Sequence, residues 1–231
     1  MKLFKKICAT FALFSTLLAS TYINTYAALP VEKLEVSKTA NHIILIVGHK
    51  NNENKVTVND YTKSSDGTWT KNWYVGGIAG TNGISTQKSE GDKKTPEGVF
   101  NAMFAFGLKD NPGSILDYRK IGDGDYWVDD SNSAYYNKWV NISNVNKDWN
   151  SAENLKSASP FYNYALALNY NTEAVPGKGS AIFIHCTKTA YDTSSAGCIR
   201  IPEEYMRKLV QGVDADTKIV IIENVDKLSS Y

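Results

Sequence analysis

Cysteine, histidine and methionine are scarce in this 231-residue chain, three of each, and the scarcity of the first two narrows the chemistry more than any abundance does. His42, His49 and His185 lie far apart with no His-x-x-x-His spacing, so a metal centre is disfavoured and no cofactor is expected. An excess of one charge is also missing. Lys and Arg number 25 against 24 Asp and Glu, and no basic stripe points to nucleic acid. Internal repeats and low-complexity tracts are absent. Past the first thirty residues no stretch approaches the roughly 20 apolar residues that a membrane span needs.

What is present begins with an export signal. Lys2, Lys5 and Lys6 give a positive start, and Ile7 to Ala19 is apolar apart from Thr and Ser. Thr25-Tyr26-Ala27 then offers small residues at the usual cleavage spacing. A signal peptide over 1–27 predicts a secreted or cell-envelope protein whose mature chain starts near Ala28, with no stable membrane insertion after cleavage. A retained, anchoring signal is the alternative. Cleavage removes three lysines and no acid, so 22 basic residues face 24 acidic ones, and the rest is long enough for one domain with a sizeable core. Cys8 leaves with the signal. The remaining Cys186 and Cys198 are either one disulfide or one working thiol and a bystander, since exported proteins usually pair their cysteines or avoid them.

Residues 28–41 read as a short lead-in to a domain over 42–231, and most of that domain reads as strand. His42 to Val47 is a buried apolar run, and Lys55 to Tyr61 and Thr68 to Val75 alternate around an Asp66-Gly67 hairpin turn. Gly98 to Ala105, Tyr164 to Leu168, Ser180 to Cys186 and Lys218 to Glu223 are further strands. Gly76 to Pro96 is loop or edge. One helix is well marked, with Pro202 at its first position, Glu203 and Glu204 at the positive end, Arg207 and Lys208 toward the negative end, and Gly212 at the stop. Tyr205, Met206, Leu209 and Val213 supply its apolar stripe. A weaker helix is expected over about Ser151 to Ser157. The aromatic segment from Tyr126 to Trp149 suits a sheet surface or a groove wall equally. The fold class is mainly β with one or two helices.

The chemistry concentrates at Cys198, in Ser195-Ala196-Gly197-Cys198-Ile199-Arg200, and at His185, which follows Ala181-Ile182-Phe183-Ile184. A free thiol has a pKa of about 8.5, so it needs a base to attack an amide at neutral pH. A nearby imidazole supplies one, and a glycine before the cysteine lets a substrate carbonyl approach the backbone. Strand alternation puts Phe183 and His185 on one face and Ile182, Ile184 and Cys186 on the other. A lone histidine there reads as a satisfied core residue, and the Ser-Ala-Gly-Cys segment a short loop away makes it a candidate base. Cys186, aimed at the opposite face, is expected as an inert core thiol rather than the disulfide partner of Cys198. Arg200, if its segment is extended, emerges on the thiol's face, where it could hold a substrate carboxylate, with a surface salt bridge as the plainer reading. Ser195 bonds the His185 loop or the substrate, or shapes the turn.

These residues together resemble the L,D-transpeptidase catalytic domain, the YkuD-like family of bacterial cell-wall enzymes. Its signature is a histidine, a loop, then Ser/Thr-x-Gly-Cys followed by an aliphatic residue and often arginine. Lys94-Thr95-Pro96-Glu97-Gly98-Val99-Phe100 is similar to the family's Thr-Pro-x-Gly-x-Phe/Tyr strand entry, and the similarity covers roughly His42 to Glu223. Two departures stand out: Ala196 replaces the second histidine of the common Ser-His-Gly-Cys, and Cys186 replaces the glycine of His-Gly.

The resemblance implies a β-sandwich-type catalytic domain acting on peptidoglycan stem tetrapeptides. Cys198 would be the nucleophile and His185 its base, with Gly197 and Cys198 backbone N–H groups as oxyanion donors and Arg200 and Ser195 in substrate binding. A thioester would form as terminal D-alanine leaves, and a neighbouring stem's amine would then give a cross-link between third-position residues. Water as acceptor would make the same chain an L,D-carboxypeptidase. A catalytically inactive cell-wall-binding domain is the competing class. A sortase is disfavoured because its Thr-Leu-x-Thr-Cys motif is missing.

Overall fold

The structure is a computed structural model that describes residues 30–189 and 192–231; the expected signal peptide lies outside them. Three strands open the fold as an antiparallel meander: β1 (His42–His49), β2 (Asn52–Lys63) and β3 (Trp69–Ile78). The turn between β2 and β3 is the expected one, with Gly67 at φ +88° and the Asp66 carboxylate accepting from the Thr68 N–H at 2.9 Å. The polar segment that follows holds only a two-residue parallel pair, β4 (Ile84–Ser85) with β5 (Thr95–Pro96).

Next come β6 (Gly98–Phe100), β7 (Ala102–Gly107) and β8 (Tyr118–Lys120), followed by β9 (Asp125–Val128), β10 (Trp139–Asn141) and β11 (Ala152–Asn154). The last group is β12 (Ala165–Leu168), β13 (Phe183–Cys186), β14 (Ile199–Ile201), helix α1 (Glu203–Gly212) and β15 (Lys218–Ile222). Ten strands form one mixed sheet in the order β6-β15-β1-β2-β3-β14-β13-β12-β7-β8, and β10-β9-β11 form a separate small sheet.

The large sheet has to curl. Strands β6 and β7 sit near its opposite ends, yet only Asn101 separates them in the chain. Gly98 to Ala105 therefore is not one strand, as its alternation predicts. Asn101 makes the crossing possible: its side-chain amide donates to the Ala215 and Thr217 carbonyls, and its backbone exchanges hydrogen bonds with Asn169. Inside the curl lies α1, whose Met206, Leu209 and Val210 pack against Ile44, Ile46, Ile184, Ile199 and Ile219. Fully burying one such side chain is worth about 1.5–3 kcal/mol.

β1 is buried on both faces, which is why Ile43 to Ile46 form an unbroken apolar run. Its second face, Ile43, Leu45 and Val47, packs on Val31, Leu34 and Leu228. The lead-in is thus built into the fold as two short 3-10 turns, Val31–Lys33 and Glu35–Lys38.

Two helix expectations need adjustment. α1 starts at Glu203 with Pro202 as its N-cap (φ −55°, ψ 142°), and it runs through Gly212 to Val213 as C-cap. The helix expected over 151–157 is instead strand β11, which pairs with β9, followed by a 3-10 turn at Leu155–Ser157. Pairing across the small sheet outweighs the local helical preference of that segment.

Candidate active site

The site forms where β13 and β14 run side by side in parallel, with Ile184 opposite Ile199 and His185 opposite Arg200. This register sorts the side chains by face. Ile182, Ile184, Cys186, Ile199 and Ile201 enter the core inside the curl. Phe183 and Cys198 belong to a second, aromatic cluster on the other face, roofed by Trp127 of the small sheet and Tyr162. Phe183 meets the Trp127 ring edge-on at 4.8 Å and the Phe106 ring at 5.1 Å. Cys186 and Cys198 are both free and buried, and they belong to the two separate clusters on opposite faces of the sheet.

Cys198 sits at the mouth of β14 on a tight turn. Ser195 Oγ donates to the Cys198 carbonyl at 2.7 Å and accepts from the Gly197 N–H at 3.1 Å. The Ser195 hydroxyl is thereby committed to shaping the turn, and the Gly197 N–H expected as an oxyanion donor is committed to Ser195. Gly197 has φ +153°, and a Cβ there would lie 2.9 Å from the Lys94 carbonyl, so only glycine fits. Thr95 explains part of the Thr-Pro motif. Fully buried, its hydroxyl donates to the Gly197 carbonyl at 2.7 Å and accepts from the Gly80 N–H at 2.8 Å, tying β5 to the cysteine turn.

The thiol itself donates to the Ala181 carbonyl at 3.1 Å. Ala181 holds a left-handed φ of +52°, and its N–H is gripped by the Asn137 side-chain oxygen at 3.1 Å. His185 is buried; its Nδ1 lies 2.9 Å from the Cys186 carbonyl, and Tyr162 stands edge-on to the imidazole at 5.1 Å. A carbonyl at Nδ1 fixes the neutral tautomer with the proton there and leaves Nε2 as the basic nitrogen. Among the described residues no hydrogen bond joins Cys198 to His185, although they share a face. His42 and His49 are occupied elsewhere, by Thr217 and Asp60 and by Thr57 respectively.

The electrostatics favour a neutral pair at rest. Burial pushes the Cys198 thiol up to about 12, and the charge of Glu153 adds to this, while Arg200 and Lys88 oppose it. Burial lowers His185 to about 3, helped by the adjacent Arg200 cation and opposed by the Cys186 and Phe161 carbonyls. Arg200 places its guanidinium 4.4 Å over the Phe161 ring, and its buried Nε has no hydrogen-bond partner. A cavity of about 220 Å³ lies beside the thiol, walled by Lys88, Glu90, Asp129, Glu153 and Ala196. Larger clefts of about 280 and 430 Å³ gather at the His49 end of β1 and hold no cysteine.

A family model for the L,D-transpeptidase catalytic domain, YkuD, matches residues 53–221. The chain belongs to the L,D-transpeptidase catalytic domain family. As such a domain it is mainly β with a large curled sheet, and α1 is the one α-helix among the described residues. A solved structure, "Structure of the Ldtfm-avibactam carbamoyl enzyme", shares 12% identity over 79% of this chain and 48% of its own, with a TM-score of 0.36. The chain thus spans about half the length of that relative. No curated protein sequence matches it.

Within this L,D-transpeptidase-family domain the sequence left several residues of the site without a role. Glu153, Asp129 and Lys88 reach the cavity beside the thiol from three separate segments, and no local pattern marks them. Tyr162 and Ala181 are equally silent in sequence. Thr95 alone carried a signal, in its Thr-Pro motif.

Proposed function

We propose that this protein is an exported cysteine acyltransferase that acts on peptidoglycan stem tetrapeptides. Cys198 attacks the carbonyl of the third residue, terminal D-alanine leaves, and a thioester remains. The stem amine of a second strand then takes the acyl group. The observation that carries this reading is Cys198 itself: a thiol held on a glycine turn at a strand mouth, on the face of His185 and beside a cavity, in a chain of this family.

Because thiol and imidazole rest neutral, the proton moves to His185 Nε2 as attack proceeds, rather than beforehand. The thiol must first leave the Ala181 carbonyl. The Cys198 N–H serves as oxyanion donor, a contribution of about 3–4 kcal/mol in comparable sites. The unpartnered Nε of Arg200 supports a contact to a substrate carboxylate.

Intact-mass spectrometry of the protein with a disaccharide-tetrapeptide tests the reading. An adduct equal to substrate minus D-alanine, absent in Cys198→Ala, is the expected result. Folded, reduced protein that gives neither adduct nor product would leave a cell-wall-binding domain as the better account. Product without cross-link when acceptor stems are present would make the enzyme an L,D-carboxypeptidase.

A further inference from the structure

We infer that the cavity beside Cys198 is an acceptor subsite for a primary alkylammonium, in which Glu153 takes the acceptor's proton. The inference rests on the acyl-enzyme chemistry proposed above and assigns its second half. Glu90, Asp129 and Glu153 all line this cavity together with the nucleophile. Among the described residues none of the three is in an ion pair. Lys88, the buried cation in the same wall, is neutralised by Asp92 at 2.7 Å. Lys93 stands exposed at the rim.

The hydrogen bonding is incomplete in a directed way. Oδ1 of Asp129 is buried and has no partner. Oε2 of Glu153 accepts from the Tyr162 hydroxyl, while Oε1 has no hydrogen bond among the described residues. Glu90 is held only by neutral donors: the Tyr136 and Ser180 hydroxyls reach Oε2 at 2.5 and 2.7 Å, and the Gly91 N–H reaches Oε1 at 3.2 Å. A buried carboxylate oxygen without a donor, as at Asp129, is costly, and an ammonium brings three donors and the opposite charge. The carboxylates are not gathered closely enough for a metal ion, since among the described residues no group of three such ligands forms.

A carboxylate next to a nucleophilic thiol hinders thiolate formation, so this arrangement does not serve the first half-reaction. It serves the second. Burial, with Asp129 and Glu90 nearby and despite the Arg200 charge, raises the Glu153 carboxyl, which makes it a better proton acceptor. Glu153 takes one proton from the bound ammonium, and the free amine attacks the thioester carbonyl. The C–N bond forms and the C–S bond breaks. The departing thiolate takes the second proton lost by the nitrogen, leaving an amide, a neutral Cys198 and a protonated Glu153 that returns its proton to solvent. Water, uncharged, is not drawn in by the three carboxylates as an ammonium is, so the cavity raises the local concentration of amine over water at the acyl-enzyme.

The test is a partition experiment on the acyl-enzyme formed from the tetrapeptide, in wild type, Asp129→Asn and Glu153→Gln. Competing acceptors are 1,5-diaminopentane, cationic at neutral pH, and hydroxylamine, which is uncharged there. The ratio of amide to hydrolysis product is read by mass spectrometry and does not depend on how fast the acyl-enzyme forms. The ratio for the diamine should fall at least about tenfold in each variant, with that for hydroxylamine changed less than about twofold. A diamine ratio unchanged in both variants overturns the inference, as does an equal fall for both acceptors. Wild-type protein that forms no acyl-enzyme before acceptor is added overturns the proposed function itself, and the subsite with it.

Discussion

The resting state of Cys198 can be tested by alkylation across pH. At about pH 8 a thiol raised to about 12 is ionised to roughly one part in ten thousand, against about one quarter for a free cysteine of pKa about 8.5. That is a deficit of about 2,400-fold in thiolate. The more basic thiolate is the better nucleophile, and a Brønsted slope of about 0.4–0.5 returns about 40-fold, leaving about 60-fold. Burial slows the reaction further. The assay is the rate of iodoacetamide addition followed by intact mass in a Cys186→Ala background, which removes the second buried thiol. The rate should rise about tenfold per pH unit up to about pH 10 without a plateau, and at about pH 8 it should be at least about 60-fold below that of a free thiol. A plateau below about pH 8 would refute the neutral pair, since it is the signature of a standing thiolate–imidazolium.

Other consequences follow from the same contacts. His185 binds a proton at 6.5 when unfolded and only at about 3 when folded, so its neutral burial stabilises the fold fully above pH 6.5. That contribution, about 4–5 kcal/mol, is lost as pH falls from the unfolded toward the folded value; the urea midpoint should fall more steeply between about pH 7 and pH 4 in wild type than in His185→Gln, and equal slopes would contradict it. Thr95→Val strands the Gly80 N–H and the Gly197 carbonyl, and urea unfolding should show a loss of about 1–3 kcal/mol that Thr95→Ser largely restores. Gly197→Ala drives a methyl against the Lys94 carbonyl at positive φ, and should cost about 1–3 kcal/mol in stability with loss of the tetrapeptide acyl-enzyme at Cys198. An unchanged melting temperature would show that the turn relaxes.

Much of the scaffold was legible because it is written in local periodicity. The apolar run of β1, the β2–β3 hairpin with its Asp66-Gly67 turn, and the stripe of α1 each depend on residues a few positions apart. Face sorting along Phe183–Cys186 was legible for the same reason, and so was the opposition of Cys186 and Cys198. Closure at Asn101 was not, because alternation continues from Gly98 to Ala105 while the hydrogen-bond partners change from β15 to β12. Glu153 was hidden twice: its segment reads as a helix, and its meaning arises only when β11 pairs with β9 and brings it to the thiol. The turned-away thiol was also out of reach, since Ala181 receives it only in a left-handed conformation that its side chain does not announce.

The pairing of β1 with β15 has a kinetic side. Ile43 stands opposite Lys218, so the first strand of the sheet has no parallel neighbour until nearly all of the chain is available. A hairpin of β2 and β3 can form early from contacts close in sequence, but the barrel-like closure depends on partners that are far apart along the chain. Such topologies fold in milliseconds to seconds rather than microseconds. During that interval the continuous apolar run of β1 is exposed. A chain still emerging, or threaded through a pore, would therefore keep that edge of β1 open until β15 has followed it.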